Sequence, residues 1–179
     1  MISIAVFCGS STGKDDLYRQ TSLQLASYFL KHEITLVYGG GNIGLMGVIA
    51  DEIMLHNGKV IGVIPEFLAQ REVANHDITQ LIVVETMHQR KQKMCDLSDA
   101  FLILPGGFGS MDELFEILTW KQLGLHHKPI AVLNINGYYN ALLQLIDDMS
   151  NQQFVSPDNK KLLMFINSVD EIGEWLGSY

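Results

Sequence analysis

The sequence predicts an α/β fold, a mainly parallel sheet with helices on both faces, and two observations carry that expectation. Short runs rich in Val, Ile and Leu alternate with amphipathic stretches along the chain. The apolar runs are continuous rather than alternating, as strands covered on both faces require. Strands are expected at 3–7, 35–38, 60–64, 80–84, 100–104 and 129–133. Between them, 15–31 places Leu17, Leu25, Tyr28 and Phe29 on one side of a helix. Further helices are expected at 45–56, 87–97, 111–123 and 138–149, with a short terminal one at 169–176. Strict βα alternation of this kind gives a three-layer, Rossmann-like arrangement, whose ligands bind beyond the carboxyl ends of the strands.

The 179 residues suit one nucleotide-binding domain spanning 1–179, and no linker, repeat or low-complexity tract divides them. A formal net charge of -8 argues against a nucleic-acid polymer as partner, because phosphate neutralisation supplies most of that affinity. A small phosphorylated ligand needs only local donors. The two cysteines, Cys8 and Cys95, have no CxxC or paired-histidine spacing, so they read as reduced thiols of a cytoplasmic protein. The opening MISIAVFCGSS lacks the basic leader of an export signal and reads as a first strand. No apolar segment approaches the length of a membrane span. His126-His127 stand without a supporting carboxylate or cysteine spacing and read as a solvated turn rather than a metal site.

Three glycine-rich loops follow predicted strands. The first, Cys8-Gly-Ser-Ser-Thr-Gly-Lys14, is one residue short of a Walker A loop, and Asp15 stands where a magnesium-binding hydroxyl belongs. Gly9 to Ser11 either offer amides and hydroxyls to a ligand or form a plain turn. In the second, Gly39, Gly41 and Gly44 satisfy GxGxxG, with Glu66 at a distance that suits a ribose-binding acid; close helix–sheet packing is the alternative. The third is Leu104-Pro-Gly-Gly-Phe-Gly-Ser-Met-Asp-Glu113. Its glycines free the backbone at a helix start, where exposed amides form an anion site. Ser110-Met-Asp-Glu113 also fits a capping box, in which Glu113 would fold back onto the helix's own backbone.

A basic helix bears on that choice. In Met87-His-Gln-Arg-Lys-Gln-Lys-Met94, Met87, Arg90, Lys91 and Met94 share one face. A buried arginine demands a partner, unless it snorkels to solvent or pairs with a nearby carboxylate such as Glu85.

Together PGGFGSMDE, MHQRK and YGGGNIGLMG resemble the LONELY GUY cytokinin-activating family, long mislabelled as lysine decarboxylases, whose signature is PGGxGTxxE. The resemblance runs along nearly the whole chain, through WKQLGLHHKPIAVLNINGYY; the departure is Ser110 in place of the usual Thr. It implies hydrolysis of the N-glycosidic bond of a nucleoside 5′-monophosphate, AMP or its N6-prenylated relatives, with no cofactor. By the same resemblance Arg90 and Glu113 are the catalytic pair. Gly107, Phe108, Gly109 and Ser110 cradle the phosphate, with Met111 and Asp112 beside them. Met87, Lys91, Glu72 and Thr119 are further substrate contacts. A carboxylate near a phosphate then has a purpose, since cleavage builds positive charge on the ribose. The resemblance also implies a homodimer; Trp120 and Leu123 either contribute to that contact, since aromatics are enriched in interfaces, or serve the monomer core. No lysine sits in a Schiff-base context. Two other readings remain: a nucleotide or cofactor carrier without chemistry, and a nicotinamide-dependent oxidoreductase resting on Gly39, Gly41 and Gly44.

Overall fold

The computed structural model describes residues 2–70 and 74–178. Seven parallel strands form one sheet in the order β4-β3-β2-β1-β5-β6-β7. They are β1 Ser3–Phe7, β2 Thr35–Tyr38, β3 Val60–Pro65, β4 Gln80–Val84, β5 Ala100–Ile103, β6 Ile130–Leu133 and β7 Met164–Ile166. The order reverses at β1, which pairs with β2 on one side and β5 on the other. That crevice is where a doubly wound sheet receives its ligand.

The helices are α1 Asp16–Lys31, α2 Gly44–Leu55, α3 Glu66–Leu68, α4 Met87–Leu97, α5 Phe108–Gln122, α6 Asn140–Asn151, α7 Pro157–Lys160 and α8 Ile172–Gly177. Alternate residues of β1 face opposite layers. Ile4 and Val6 pack with Leu25 and Phe29 of α1, Ile49 and Ile53 of α2, and Trp175 of α8. Ala5 and Phe7 pack with Met94 of α4, Leu114 and Ile117 of α5, and Ile146 of α6. The expected three-layer α/β arrangement is therefore present.

Local chemistry explains three of the helix starts. Asp15 caps α1 by accepting from the Leu17 amide at 3.0 Å, so the residue that spoils a Walker A motif is a helix cap. Thr86 caps α4 through the Gln89 amide, and Ser156 caps α7 with Pro157 at its first position. Three expectations are corrected. β7 is a seventh strand of only three residues, too short to carry a pattern. The terminal segment splits into a 3-10 turn, Val169–Glu171, and α8. Helix α5 starts three residues earlier than expected, with Gly107 as its N-cap.

The second glycine loop is shaped by the first. Gly44 has φ +61°, and a Cβ there would lie 2.2 Å from the Ser10 carbonyl carbon, while the Leu45 amide donates to Gly9 O at 3.1 Å. Backbone presses on backbone, so neither side can yield. Gly44→Ala should cost at least about 1–3 kcal/mol from its φ alone, read as a lowered denaturant midpoint; an unchanged midpoint would contradict this packing.

Candidate active site

A cavity of about 410 Å³ opens at the carboxyl ends of the central strands. Its floor is Val6, Phe7 and Cys8 of β1's end, and its walls come from the second glycine loop, Ile64, α4 and the start of α5. Each glycine loop supplies a different component.

Gly107 and Gly109 differ from the packing glycines. A Cβ on either would meet nothing within 4 Å, and neither has a positive φ. The fold does not require glycine there; close approach of something in the cavity would. The amides of Phe108, Gly109 and Ser110 lie in the first turn of α5, where no intrahelical acceptor exists. The helix dipole adds to their attraction for an anion. Gly106 has another function, because a Cβ there would strike the Ser110 hydroxyl at 2.1 Å.

One turn farther along α5, Glu113 is 6% exposed and faces the cavity. Its Oε1 lies 2.8 Å from Nη1 of Arg90, itself 8% exposed. Arg90 Nε donates to the Val63 carbonyl at 3.2 Å. The third side of the guanidinium rests on Gly39, where a Cβ would fall 2.2 Å from Nη2. The first glycine of the GxGxxG pattern thus makes room for an arginine. Glu66 is exposed at the start of α3, with Gln70 as partner, and does not line the cavity, so the dinucleotide reading loses its ribose acid.

The capping box does not form. Gly107, not Ser110, is the N-cap; Ser110 is buried in the first turn, and Glu113 turns to Arg90 rather than to its own backbone. Arg90 neither snorkels nor pairs with Glu85, which Gln89 engages through both backbone and side chain. Burial pushes the Glu113 carboxyl above its ordinary range; Arg90 opposes that shift, and Asp112 adds to it. The Cys8 thiol is raised by burial and then by Glu113, against Arg90, which keeps it protonated.

The other expected site residues divide clearly. Gly107, Phe108, Gly109 and Ser110 line the cavity, joined by Gly9 and Ser10 of the first loop. Lys91 does not; its ammonium reaches Asp112 at 3.0 Å and also Glu116. Burial lowers the Lys91 pKa, but Glu116 and Asp112 more than offset this and hold it protonated. Asp112 is thereby spent on Lys91 at the outer edge. Met111 packs against the core, and Met87, at the first position of α4, is outside the cavity lining. The Thr119 hydroxyl donates to Phe115 O at 2.6 Å, nearly two turns beyond Glu113. Glu72 lies outside the described residues. His126 is buried, not solvated, with its ring Nε2 2.9 Å from Ile117 O, whereas His127 is exposed. Sequence reasoning missed Ile43, Met46, Ile64 and Leu68, the apolar wall of the cavity. Their only signal is position near the carboxyl ends of β2 and β3.

Residues 46–176 match the family model described as "Possible lysine decarboxylase". The chain is 43% identical over 177 residues to the cytokinin riboside 5′-monophosphate phosphoribohydrolase LOG7 of Arabidopsis thaliana, covering 98% of this chain and 81% of that protein. It is likewise 43% identical over 176 residues to LOG2 of the same plant, covering 98% and 83%. Among solved structures, the molybdenum cofactor binding protein from Rippkaea orientalis shares the fold with a TM-score of 0.72 at 19% identity, covering 99% of this chain and 96% of that one. The Moco carrier protein from Chlamydomonas reinhardtii does so with a TM-score of 0.71 at 16% identity, covering 99% of each chain. Identity spread over almost the whole length, with the PGGFGSMDE turn and its arginine partner in place, decides the family: this chain belongs to the cytokinin riboside 5′-monophosphate phosphoribohydrolases.

Proposed function

We propose that this protein hydrolyses the N-glycosidic bond of purine nucleoside 5′-monophosphates, AMP or N6-prenylated cytokinin riboside 5′-monophosphates, to free base and ribose 5-phosphate. The observation that carries the reading is the buried Arg90–Glu113 pair, one helical turn from the open glycine turn at the head of α5. A carrier needs the glycine turn but has no use for a buried carboxylate beside the anion. The 5′-phosphate would sit on the amides of Phe108, Gly109 and Ser110. The ribose would then lie over Glu113 and the base against the apolar wall of Ile43, Met46, Ile64 and Leu68.

In the reaction the C1′–N bond breaks with its electron pair leaving on the base. Water oxygen bonds to C1′, and one water proton ends on the base. Positive charge on the ribose peaks between these events, as in glycoside hydrolysis. Glu113 faces that charge as a carboxylate, which its ion pair with Arg90 favours, or orients the water. Arg90, held at three sides, positions Glu113 and offers the phosphate side of the cavity a positive field. The decarboxylase description would need a lysine able to form a Schiff base with pyridoxal phosphate. Among the described residues no lysine lines the cavity, and Lys91 is held as an ammonium by two carboxylates, so the residues present do not fit that cofactor.

Chromatography of free base tests the reading, with AMP, isopentenyladenosine monophosphate and the riboside lacking phosphate side by side. Release from a monophosphate and none from the riboside is expected; tight binding of intact AMP would instead favour the carrier. Gly109→Ala separates ligand from fold. The added methyl has room and improves helix propensity by up to about 1 kcal/mol. Thermal stability should hold or rise while KM for AMP climbs roughly tenfold or more, since a charged hydrogen bond is worth about 1.5–3 kcal/mol. Unchanged KM would remove the phosphate from this turn.

A homodimer is part of this proposal. Phe115, Leu123 and Leu125 are exposed along and just beyond α5, with Trp120 half-buried beside them, which suits a second copy. Both cysteines are free and buried, as befits a reducing, cytoplasmic setting.

A further inference from the structure

We propose that Asn75 is a positioning residue for Arg90, acting through the second glycine loop; the inference rests on the assignment of Arg90 and Glu113 above. Asn75 is a polar side chain only 5% exposed, outside the cavity lining. Its amide Nδ2 donates to Asp51 Oδ1 of α2 at 3.1 Å, and its Oδ1 accepts from the Asp77 amide at 3.1 Å. Clamped in this way, Asn75 presents its own backbone N–H to the Gly40 carbonyl at 2.8 Å. The preceding residue, Ala74, forms an isolated antiparallel bridge with Gly41. Two successive residues therefore grip two successive glycines.

That grip matters because of what the loop touches. Gly40 is at φ +72°, with Ile64 and Leu81 crowding its back, so it cannot retreat toward the sheet. Gly39 is the backbone surface against which Nη2 of Arg90 rests. The path runs Asp51, Asn75, Gly40, Gly39, Arg90, Glu113: hydrogen bonds join Asp51 to Asn75 and Asn75 to Gly40, Nη2 of Arg90 fills the space a side chain on Gly39 would need, and an ion pair joins Arg90 to Glu113. A glycine-rich loop has much backbone entropy to lose, so its position must be imposed from outside. Asn75 and Asp51 impose it. Loosening the loop lets the guanidinium slide from Glu113, and small misplacements at a reacting centre cost up to about 10²-fold.

The test uses Asn75→Ala, Asp51→Ala and Asp51→Asn in the full chain, with Glu113→Gln in the same series. Asn75→Ala is expected to lower kcat roughly 10- to 100-fold with KM for AMP within about twofold. Asp51→Ala should follow in the same direction, while Asp51→Asn, which keeps an acceptor for Nδ2, should stay near wild type. The second readout needs no turnover: carbon-13 NMR titration of the Glu113 carboxyl. Among the described residues, the charged and titratable groups near that carboxyl are Arg90 and Lys91 of α4, Asp112 on its own helix and the Cys8 thiol. Of these, only Arg90 leans on the loop that Asn75 holds. The titration should therefore move to higher pH in Asn75→Ala, as the ion pair loosens, although no ionisable group was removed. Unchanged kcat and titration in folded Asn75→Ala would overturn the proposal, as would equal losses in Asp51→Ala and Asp51→Asn. Should Asn75→Ala fail to fold, Asp51→Ala, altered at an exposed position, decides by the same two readouts. Normal turnover by Glu113→Gln would sink the hydrolase assignment instead, and the titration would still judge Asn75.

Discussion

Glu113→Gln is expected to fold normally and to release base from AMP about 10²–10⁴-fold more slowly, the range a positioned acid–base or charge-stabilising group supplies. Glutamine keeps the shape and one oxygen acceptor for Arg90 Nη1, so the packing around residue 113 survives. What disappears is negative charge where the ribose becomes positive. The ground state carries no such cation, so KM should change little while kcat collapses. Single-turnover chromatography on saturating AMP measures this directly. A loss below tenfold would remove Glu113 from the chemistry.

Arg90→Ala should be as damaging to turnover and far more damaging to the fold. The variant leaves a nearly buried carboxylate without its partner, and breaking such a pair from one side costs about 3–5 kcal/mol. The pH dependence has a defined sign. Arg90 is what opposes the burial-driven rise of the Glu113 pKa, so its loss moves that pKa still higher in the folded state. Above the ordinary carboxylate range the folded protein then binds more protons than the unfolded chain, and stability falls as pH rises. The deficit should be greatest at neutral pH and shrink as the medium is acidified through the raised Glu113 pKa. Denaturant melts of wild type and variant across pH 5–8 check this. Adding Glu113→Gln to Arg90→Ala should restore much of the stability and none of the activity. A pH-independent deficit would mean that Arg90 matters as packed bulk rather than as a counter-charge.

The residues that misled local reasoning share a cause. Ser110 and Glu113 have the spacing of a capping box, and within an isolated helix that would be their best arrangement. In the protein, Gly107 starts the helix three residues earlier, so both positions rotate into different surroundings. A guanidinium 23 positions back in the chain then outcompetes an exposed amide for the carboxylate. The surroundings of Lys91 were likewise set by the fold. Helical periodicity puts it on the same face as Arg90, yet one step around α4 aims its ammonium at Asp112 and Glu116 instead of the cavity. His126 looked like half of a solvated turn until the Ile117 carbonyl claimed its ring.

By itself the sequence determined the order and kind of nearly every element, because burial on both sheet faces writes continuous apolar runs and helices write their own period. Helix α4, Met87–Leu97, was legible to the residue, and so was the presence of a glycine turn at the head of α5. Tertiary structure alone decided which charges meet. Arg90 finds Glu113 because Gly39 leaves it space and Val63 offers a carbonyl, contributions from a loop and a strand distant from α4 in the chain. The physical reason is range: propensity and periodicity act over a few residues, whereas a buried charge is satisfied by whatever the whole fold brings within 3 Å.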